Sequence, residues 1–415
     1  MTVDSQTPDL GHHRKALVVG LGISGIATAI RLRQIGWTPM IVERSANRRQ
    51  GGYFIALFGA GLAAARRLGI LDHLQDHAIM GASFDISRTG RRLPGLTFQD
   101  FPGPPWMMRR GDLEDAAYAT LPDDVEIRYG TVPTNIEQDP TGVQVTLADI
   151  DGLNSSTERF DLVVGADGLR STVRRLVFGP HEDHLQRLDH MAVAYELPGA
   201  LPGHQVTDAL IMLEPRRAMW VFPYRDRPPT ALLTYHTDDV DAEFVEPVVD
   251  RVRQVFGPEP TGPVLGAALD ALEDAADVHF DSVEQVHLDR WHHGRVALVG
   301  DAAWCVTLYA GMGSSSAMAG ADLLGTMLGR NPYDVQSALL QWDRRLRPSI
   351  EYIQRNGAQM RDLFVPPTAR KLALRRAMTQ LSQYPITRGL IAKLRTTTKS
   401  FLINETDFAS PDAAV

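Results

Sequence analysis

Residues 15–43 read KALVVGLGISGIATAIRLRQIGWTPMIVE, and the succession of apolar, glycine and acidic positions in that stretch decides the fold. Ala16 to Val19 is a short apolar run bounded by glycine, the pattern of a strand buried on both faces of a parallel sheet. Gly20, Gly22 and Gly25 then spell G-x-G-x-x-G. The first glycine permits a tight turn, the second removes a side chain where a pyrophosphate must approach, and the third brings the next helix close to the strand. That helix is expected from Ser24 to Ile35, with its positive end toward the pyrophosphate, Ile26, Ala27 and Ile30 on the sheet, and Gly36 closing it. A second strand, Pro39 to Val42, ends in Glu43, placed to accept both hydroxyls of an adenosine ribose. The stretch predicts a dinucleotide site, with Ile23 and Ser24 in its loop and Arg44 after its acid among the cofactor-binding residues.

A glycine-rich turn alone would be weaker, because many such turns bind nothing. Arg14 and Lys15 before an apolar stretch ending in Ala27-Thr28-Ala29 also imitate a secretory leader. Three glycines interrupt its apolar core, and cleavage would discard the first strand, so the dinucleotide reading is preferred. Nothing else approaches a membrane-spanning length, and no integral membrane segment is expected.

At 415 residues the chain can bury more than one core, so two closely joined domains and a tail are expected. Its one cysteine, Cys305, excludes an internal disulfide, a dithiol redox pair and a structural zinc site, and fits a cytoplasmic setting. No metal ligands are assigned. A net charge of −8 argues against nucleic acid as a general partner. The charge is uneven: between Leu363 and Phe401 there is no acid, while Arg370, Lys371, Arg375, Arg376, Arg388, Lys393, Arg395 and Lys399 are all basic. A helical segment lying on an acidic body is the simplest expectation for it.

Residues before His12 read as a polar, unstructured start. After Arg44 a polar loop leads to Gly51-Gly52 and the apolar run Tyr53 to Leu57, then a helix closed by Gly69. Gly52 is a position where backbone could approach a planar ring, and a plain turn is the alternative. Pro102-Gly103-Pro104-Pro105 reads as a rigid linker before Met107 to Leu113, which starts a helix with Arg109 and Arg110 at its head. Val125 to Leu147 alternates like a hairpin turning at Pro140-Thr141-Gly142. Phe160 to Val164 is another apolar strand, ending in Gly165-Ala166-Asp167-Gly168, and an Asp-Gly at such an end lies where open sheets bind ligands.

From His190 to Thr237 the pattern becomes antiparallel strands carrying Tyr195, Met212, Trp220, Phe222 and Tyr235, candidates for a substrate wall that ordinary core packing would equally explain. Val296 to Val299 restores the parallel pattern, with Asp301 just past its end. Gly311-Met312-Gly313 opens a helix through Leu324 whose first amides can stabilise negative charge on a bound cofactor. Leu340 to Met360 is expected to be helical, with a kink or break at Pro348.

The glycine fingerprint, Asp167-Gly168 and Gly300-Asp301, in that order, resemble the single-component (group A) FAD-dependent monooxygenases typified by para-hydroxybenzoate hydroxylase, in a short form similar to the tetracycline-inactivating monooxygenases. The resemblance covers roughly the first 350 residues. It implies an α/β fold: a Rossmann-like FAD-binding domain with an inserted antiparallel-sheet substrate domain and a C-terminal helical segment. The implied division is 12–80, 106–182 and 288–332 for FAD, 81–105 and 183–287 for substrate, and 333–415 for the C-terminal segment. By the same resemblance Gly20, Gly22 and Gly25 hold the pyrophosphate, Glu43 the ribose, and Arg110 reaches FAD. Asp301 binds ribityl or phosphate oxygens, Gly311, Met312 and Gly313 lie against the isoalloxazine ring, and Asp167 serves both FAD and the nicotinamide cofactor.

The implied reaction uses NAD(P)H and O2 to hydroxylate, or insert oxygen into, an aromatic or polyketide-like molecule through a flavin C4a-hydroperoxide. No catalytic base can be named: Tyr195, Tyr224, His236 and Tyr309 are candidates that ordinary packing explains. The family usually shows His and then Pro before the late glycines, where this chain has Trp304, Thr307 and Leu308, so an altered loop near the flavin is expected. That departure leaves a dehydrogenase, reductase or cyclase without oxygen insertion as an alternative. A non-catalytic nucleotide-binding protein is the alternative of another class.

Overall fold

The computed structural model describes residues 14–48, 51–79, 81–95, 105–257, 259–381, 403 and 405–410. The polar start, most of the Pro-Gly-Pro linker, and Arg388, Lys393, Arg395 and Lys399 of the basic stretch lie outside the described residues.

A six-stranded sheet forms the centre, ordered His292–His293, Val296–Leu298, Leu162–Gly165, Lys15–Val19, Thr38–Glu43, Glu126–Tyr129. All its pairings are parallel except that of the two-residue edge strand. Ala16, Leu17, Val18, Leu162, Val163, Val296, Ala297 and Leu298 are completely buried, which is why these strands read as unbroken apolar runs instead of alternating ones. Four helices pack together on this unit: Ile23–Gln34, Gly59–Leu68, Gly313–Arg330 and Val335–Phe364.

The second layer is a seven-stranded sheet in the order Val278–Val286, Leu185–Glu196, Thr230–His236, Arg217–Phe222, Ala209–Glu214, Ser83–Ile86, Arg92–Pro94. Helices Val248–Phe256 and Gly262–Glu273 cover one face, closing a core that contains Met191, Val193, Met212, Val252, Phe256, Leu265 and Leu269. The other face turns toward the parallel unit. A two-stranded ribbon, Phe54–Leu57 with Trp106–Arg109, lies beside it, and a three-stranded antiparallel sheet spans Thr131–Asp139, Gly142–Asp149 and Ser155–Phe160.

Several local expectations need correction. Glu126–Tyr129 leaves the expected hairpin and joins the parallel sheet beside Thr38–Glu43, so the hairpin proper begins at Thr131. The segment after the linker is first a strand, Trp106–Arg109, and turns helical only at Arg110. Pro348 breaks nothing. The helix Val335–Phe364 runs through it for 30 residues, because Leu346, Ile350 and Ile353 bury the same side of the helix and tertiary packing outweighs the roughly 3 kcal/mol cost of an interior proline.

Candidate cofactor and substrate site

A groove of about 1510 Å³ runs between the two layers. Its wall includes Gly20 to Ser24, Glu43, Arg44, Arg110, Asp167, Asp301, Gly311 and Gly313, so residues from the first 50 and the last third of the sequence share one space.

The phosphate loop is built by exclusion. Gly20 has φ +106°, and a Cβ there would meet the Ala166 carbonyl oxygen at 2.6 Å; a Cβ on Gly25 would stand 1.9 Å from the Gly20 carbonyl oxygen. Strand, turn and helix are therefore as close as backbone allows. Gly25 does its work there and is not on the groove wall, whereas Gly22 is, with only Arg110 Nη2 at 3.7 Å and Glu114 Oε1 at 3.8 Å near a Cβ. At the far end a Cβ on Gly313 would meet nothing within 4 Å. These two open glycine positions let a bound molecule lie directly against backbone at either end of the groove.

Three acids line the groove in different ways. Glu43 accepts the Leu21 amide at 2.9 Å and the Ser45 amide at 2.8 Å, which orients its carboxylate and leaves lone pairs for hydroxyl donors. Asp167 accepts Ser171 Oγ at 2.5 Å, the Thr172 amide at 2.6 Å and the Val173 amide at 3.1 Å, holding the start of helix Thr172–Val177. Asp301 lies deep in the protein yet its side chain is open, because it faces the groove. Burial raises its pKa above the usual carboxylate range, and Arg110 opposes the rise. Cys305 beside it is pushed well up by burial and by Asp301, which keeps it a thiol.

Of the two arginines at the head of helix Arg110–Thr120, Arg109 pairs with Glu196 at 2.8 Å. Arg110 faces the groove, 3.0 Å from Glu114. Gly52 is turned away: a Cβ there would meet Arg110 Cβ at 3.2 Å, so its close approach is to the arginine. Met312 is buried in the core, leaving Gly311 and Gly313 to form the wall.

Above this floor stands an aromatic wall. Phe54 and Phe222 stack with centroids 4.0 Å apart and planes 7° from parallel. Trp220 follows at 6.4 Å from Phe222, and Phe364 packs on Trp220 at 4.6 Å. Tyr195, Met212 and Tyr235, expected in the same wall, occupy the opposite face of the sheet. There the Tyr195 hydroxyl donates to the Ala268 carbonyl at 2.7 Å and that of Tyr235 to Glu243 at 2.7 Å. The remaining proton-transfer candidates are also engaged: Tyr224 with Thr230, Tyr309 with Thr234, and His236 with Arg216. Burial raises the pKa of Tyr309 and of Tyr224, so both keep their protons.

Sequence reasoning missed Tyr53, Phe54, Glu114, Phe364 and Arg375, all of which line the groove. Glu114, one helical turn after Arg110, carried a readable signal. Among the described residues no helix is long and apolar enough to cross a membrane, and no group of three His, Cys, Asp or Glu could hold a metal ion.

A family model described as an FAD binding domain matches residues 13–333. A flavin-dependent monooxygenase of an unknown prokaryotic organism is 27% identical over 368 residues, covering 85% of this chain and 90% of its own. The 2-heptyl-3-hydroxy-4(1H)-quinolone synthase of Mycobacteroides abscessus is 30% identical over 356 residues, covering 83% and 89%. The crystal structure of tetracycline destructase Tet(51) superposes with a TM-score of 0.72 at 25% identity, covering 92% of this chain and 97% of that one. With the cradle, the groove and these likenesses in agreement, the chain belongs to the FAD-binding family of single-component (group A) flavin-dependent monooxygenases.

Proposed function

We propose that the protein takes reducing equivalents from NADH or NADPH and uses O2 to hydroxylate, or insert oxygen into, an aromatic or polyketide-like small molecule. The observation that carries this reading is the continuity of one groove from the phosphate loop, past Asp301 and the Gly311 to Gly313 corner, to the aromatic wall. The names of two similar proteins, a quinolone synthase and a tetracycline destructase, both refer to fused-ring compounds. When bound, FAD supplies the two-electron chemistry with nicotinamide and O2 that side chains cannot perform.

The residues divide the remaining work. The amides of the Gly20 to Ser24 loop and the start of helix Ile23–Gln34 would meet the pyrophosphate, and Arg110 would add a charge beside it. Glu43, already oriented by two backbone amides, would receive the ribose hydroxyls. Asp301 would bind ribityl or phosphate oxygens, and Gly311 and Gly313 would let backbone lie against the ring edge. Phe54, Phe222, Trp220 and Phe364 exclude water from the reacting space and hold a flat substrate by stacking. Tyr309, protonated and fixed to Thr234 at 2.8 Å, serves as a hydrogen-bonding wall and not as a base. The division into FAD-binding (12–80, 106–182, 288–332), substrate (81–105, 183–287) and C-terminal (333–415) parts belongs to the same proposal. It is supported by strands Ser83–Ile86 and Arg92–Pro94, which pair into the seven-stranded sheet.

The test is a yellow purified protein whose NAD(P)H oxidation is accelerated by an aromatic or polyketide compound, with label from oxygen-18 gas recovered in the product. Accelerated oxidation without label in any product would replace this reading by a dehydrogenase, reductase or cyclase. A colourless protein that ignores added FAD would remove it altogether.

A further inference from the structure

Helix Ala369–Leu381 borders the groove, and its two sides differ. The inner side is fastened to the protein: Leu372 and Thr379 are buried, Arg376 donates to the Leu213 carbonyl at 3.3 Å, and the Arg375 guanidinium lies over the Trp220 ring at 5.6 Å. The outer side carries Leu374, Met378 and Leu381, which are 62%, 60% and 55% exposed. At about 100° per residue the three fall within an arc of about 60°. Arg370 and Lys371, both exposed, stand about 20° beyond either edge of that arc. Leu363, exposed near the end of helix Val335–Phe364, lines the groove together with Met378 and Leu381, so the apolar stripe runs into the groove's own wall.

An apolar stripe between cations restricts what can cover it. The chain's net charge is −8, yet residues 363–401 carry eight basic residues and no acid. A second copy packed on this face by two-fold symmetry would set basic face against basic face. Nucleic acid would meet the cations and leave the stripe in water. An anionic lipid surface satisfies both, because headgroups take the cations while apolar side chains enter the boundary of the acyl chains by about 5–10 Å. We propose that helix Ala369–Leu381 docks the protein on an anionic lipid bilayer, with Leu374, Met378 and Leu381 in the acyl boundary and Arg370 and Lys371 against the headgroups. The groove wall formed by Leu363, Met378 and Leu381 then faces the lipid, and an apolar molecule dissolved there reaches the groove without crossing water. Docking is peripheral, since among the described residues no helix is long and apolar enough to cross a membrane. It goes beyond the reaction proposed above and needs neither flavin nor substrate.

The test is co-sedimentation of the full-length protein with sucrose-loaded vesicles of phosphatidylcholine alone, or of phosphatidylcholine mixed with phosphatidylglycerol. Binding to the mixed vesicles should be at least about tenfold tighter, from two basic residues at about fivefold each. It should weaken as salt rises from about 0.1 M to about 1 M, which shortens the screening length from about 10 Å to about 3 Å. Arg370→Gln should weaken it about fivefold and Leu374→Gln about tenfold or more. Both residues are exposed and neither lines the groove, so melting temperature and FAD content should match the parent. Equal binding to the two vesicles, binding to neither, or salt-sensitive binding that survives Leu374→Gln would each overturn the inference and leave the flavin chemistry standing. Concentration-dependent self-association that Leu374→Gln abolishes, without vesicle binding, would give the face to a second copy and also overturn it. A protein that takes up no FAD yet binds the anionic vesicles through Leu374 would overturn the proposed reaction and leave the docking standing.

Discussion

Replacing Asp167 with alanine should damage the fold, whereas the same change at Asp301 should spare the fold and cost the cofactor. Both acids follow parallel strands of the central sheet and both line the groove, but their oxygens are committed differently. Asp167 accepts three hydrogen bonds, from Ser171 Oγ and from the amides of Thr172 and Val173. At roughly 1 kcal/mol for each bond, and about the same for a helix cap, their loss amounts to about 2–4 kcal/mol. Burial disfavours the charged form of Asp167 and holds its pKa up, which places the expected loss at the lower end, about 2–3 kcal/mol. Burial disfavours the charged Asp301 carboxylate, and Arg110 and the Cys305 thiol offset that only in part, so Asp301→Ala should cost the flavin-free protein less than about 1 kcal/mol. A charged hydrogen bond to a ribityl or phosphate oxygen is worth about 1.5–3 kcal/mol, so the same variant should bind FAD roughly ten- to a hundredfold more weakly. Urea unfolding of the flavin-free proteins gives the first pair of numbers and quenching of FAD fluorescence the second. Equal stability losses in the two variants, or unchanged FAD affinity in Asp301→Ala, would refute the division of labour.

Gly25→Ala, whose Cβ would fall 1.9 Å from the Gly20 carbonyl oxygen, should displace the phosphate loop and abolish FAD retention, while Gly313→Ala, with open space around its Cβ, should melt like the parent as apoprotein and bind FAD more weakly; a yellow Gly25→Ala protein would contradict the loop assignment. Asp322 is 1% exposed and pairs with Arg31 at 3.2 Å and with Arg67, which also pairs with Asp407, so Asp322→Ala strips Arg31 of its carboxylate while Arg67 keeps one, and should cost about 3 kcal/mol, measurable as a large drop in melting temperature. His190 is buried with Nδ1 2.6 Å from the Leu188 carbonyl, and burial lowers its pKa from 6.5 to about 4. Its folded form is the neutral one, so its contribution, up to about 3 kcal/mol, is complete above pH 6.5 and lost as the pH falls toward 4. His190→Gln should flatten that part of the stability profile measured by urea midpoint, and an unchanged profile would show that other groups govern it.

The parallel sheet was legible because its strands are buried on both faces: an apolar run of four residues followed by glycine or aspartate has few other uses. The seven-stranded sheet was legible as strands but not as faces. Tyr195 and Trp220 look alike in sequence, and both sides of this sheet are covered, one by helices and one by the groove. The helices held the missing signal. Val248, Val252 and Phe256 recur at four-residue spacing on Val248–Phe256, and a helix of that pattern must cover one face of the sheet, which then assigns Tyr195, Met212 and Tyr235 to it. Arg375 had no such signal, since an arginine among seven other basic residues reads as surface until the fold carries its helix to Trp220.

The segment between Trp304 and Ala310, where the family's usual His and Pro are absent, is held in place by other means. Trp304 points into the core against Trp291 at 4.6 Å and Trp342 at 5.9 Å, so the short helix Asp301–Trp304 is fixed by packing on the side away from the groove. Beyond it the backbone is clamped by two buried amides. Gln354 Nε2 donates to the Val286 carbonyl at 2.7 Å and the Trp304 carbonyl at 3.3 Å, and Gln285 Nε2 to the Gln354 carbonyl at 2.9 Å and the Val306 carbonyl at 3.4 Å. Thr307 then adopts φ 72° and ψ 151° without being glycine, a conformation that costs about 1–3 kcal/mol and persists only where the surroundings impose it. The residues this turn delivers, Leu308, Tyr309 and Ala310, all line the groove immediately before Gly311. The clamp thus holds a strained Thr307 just before Tyr309, whose hydroxyl is hydrogen-bonded to Thr234 at 2.8 Å, so the wall beside the glycine corner is fixed from both sides.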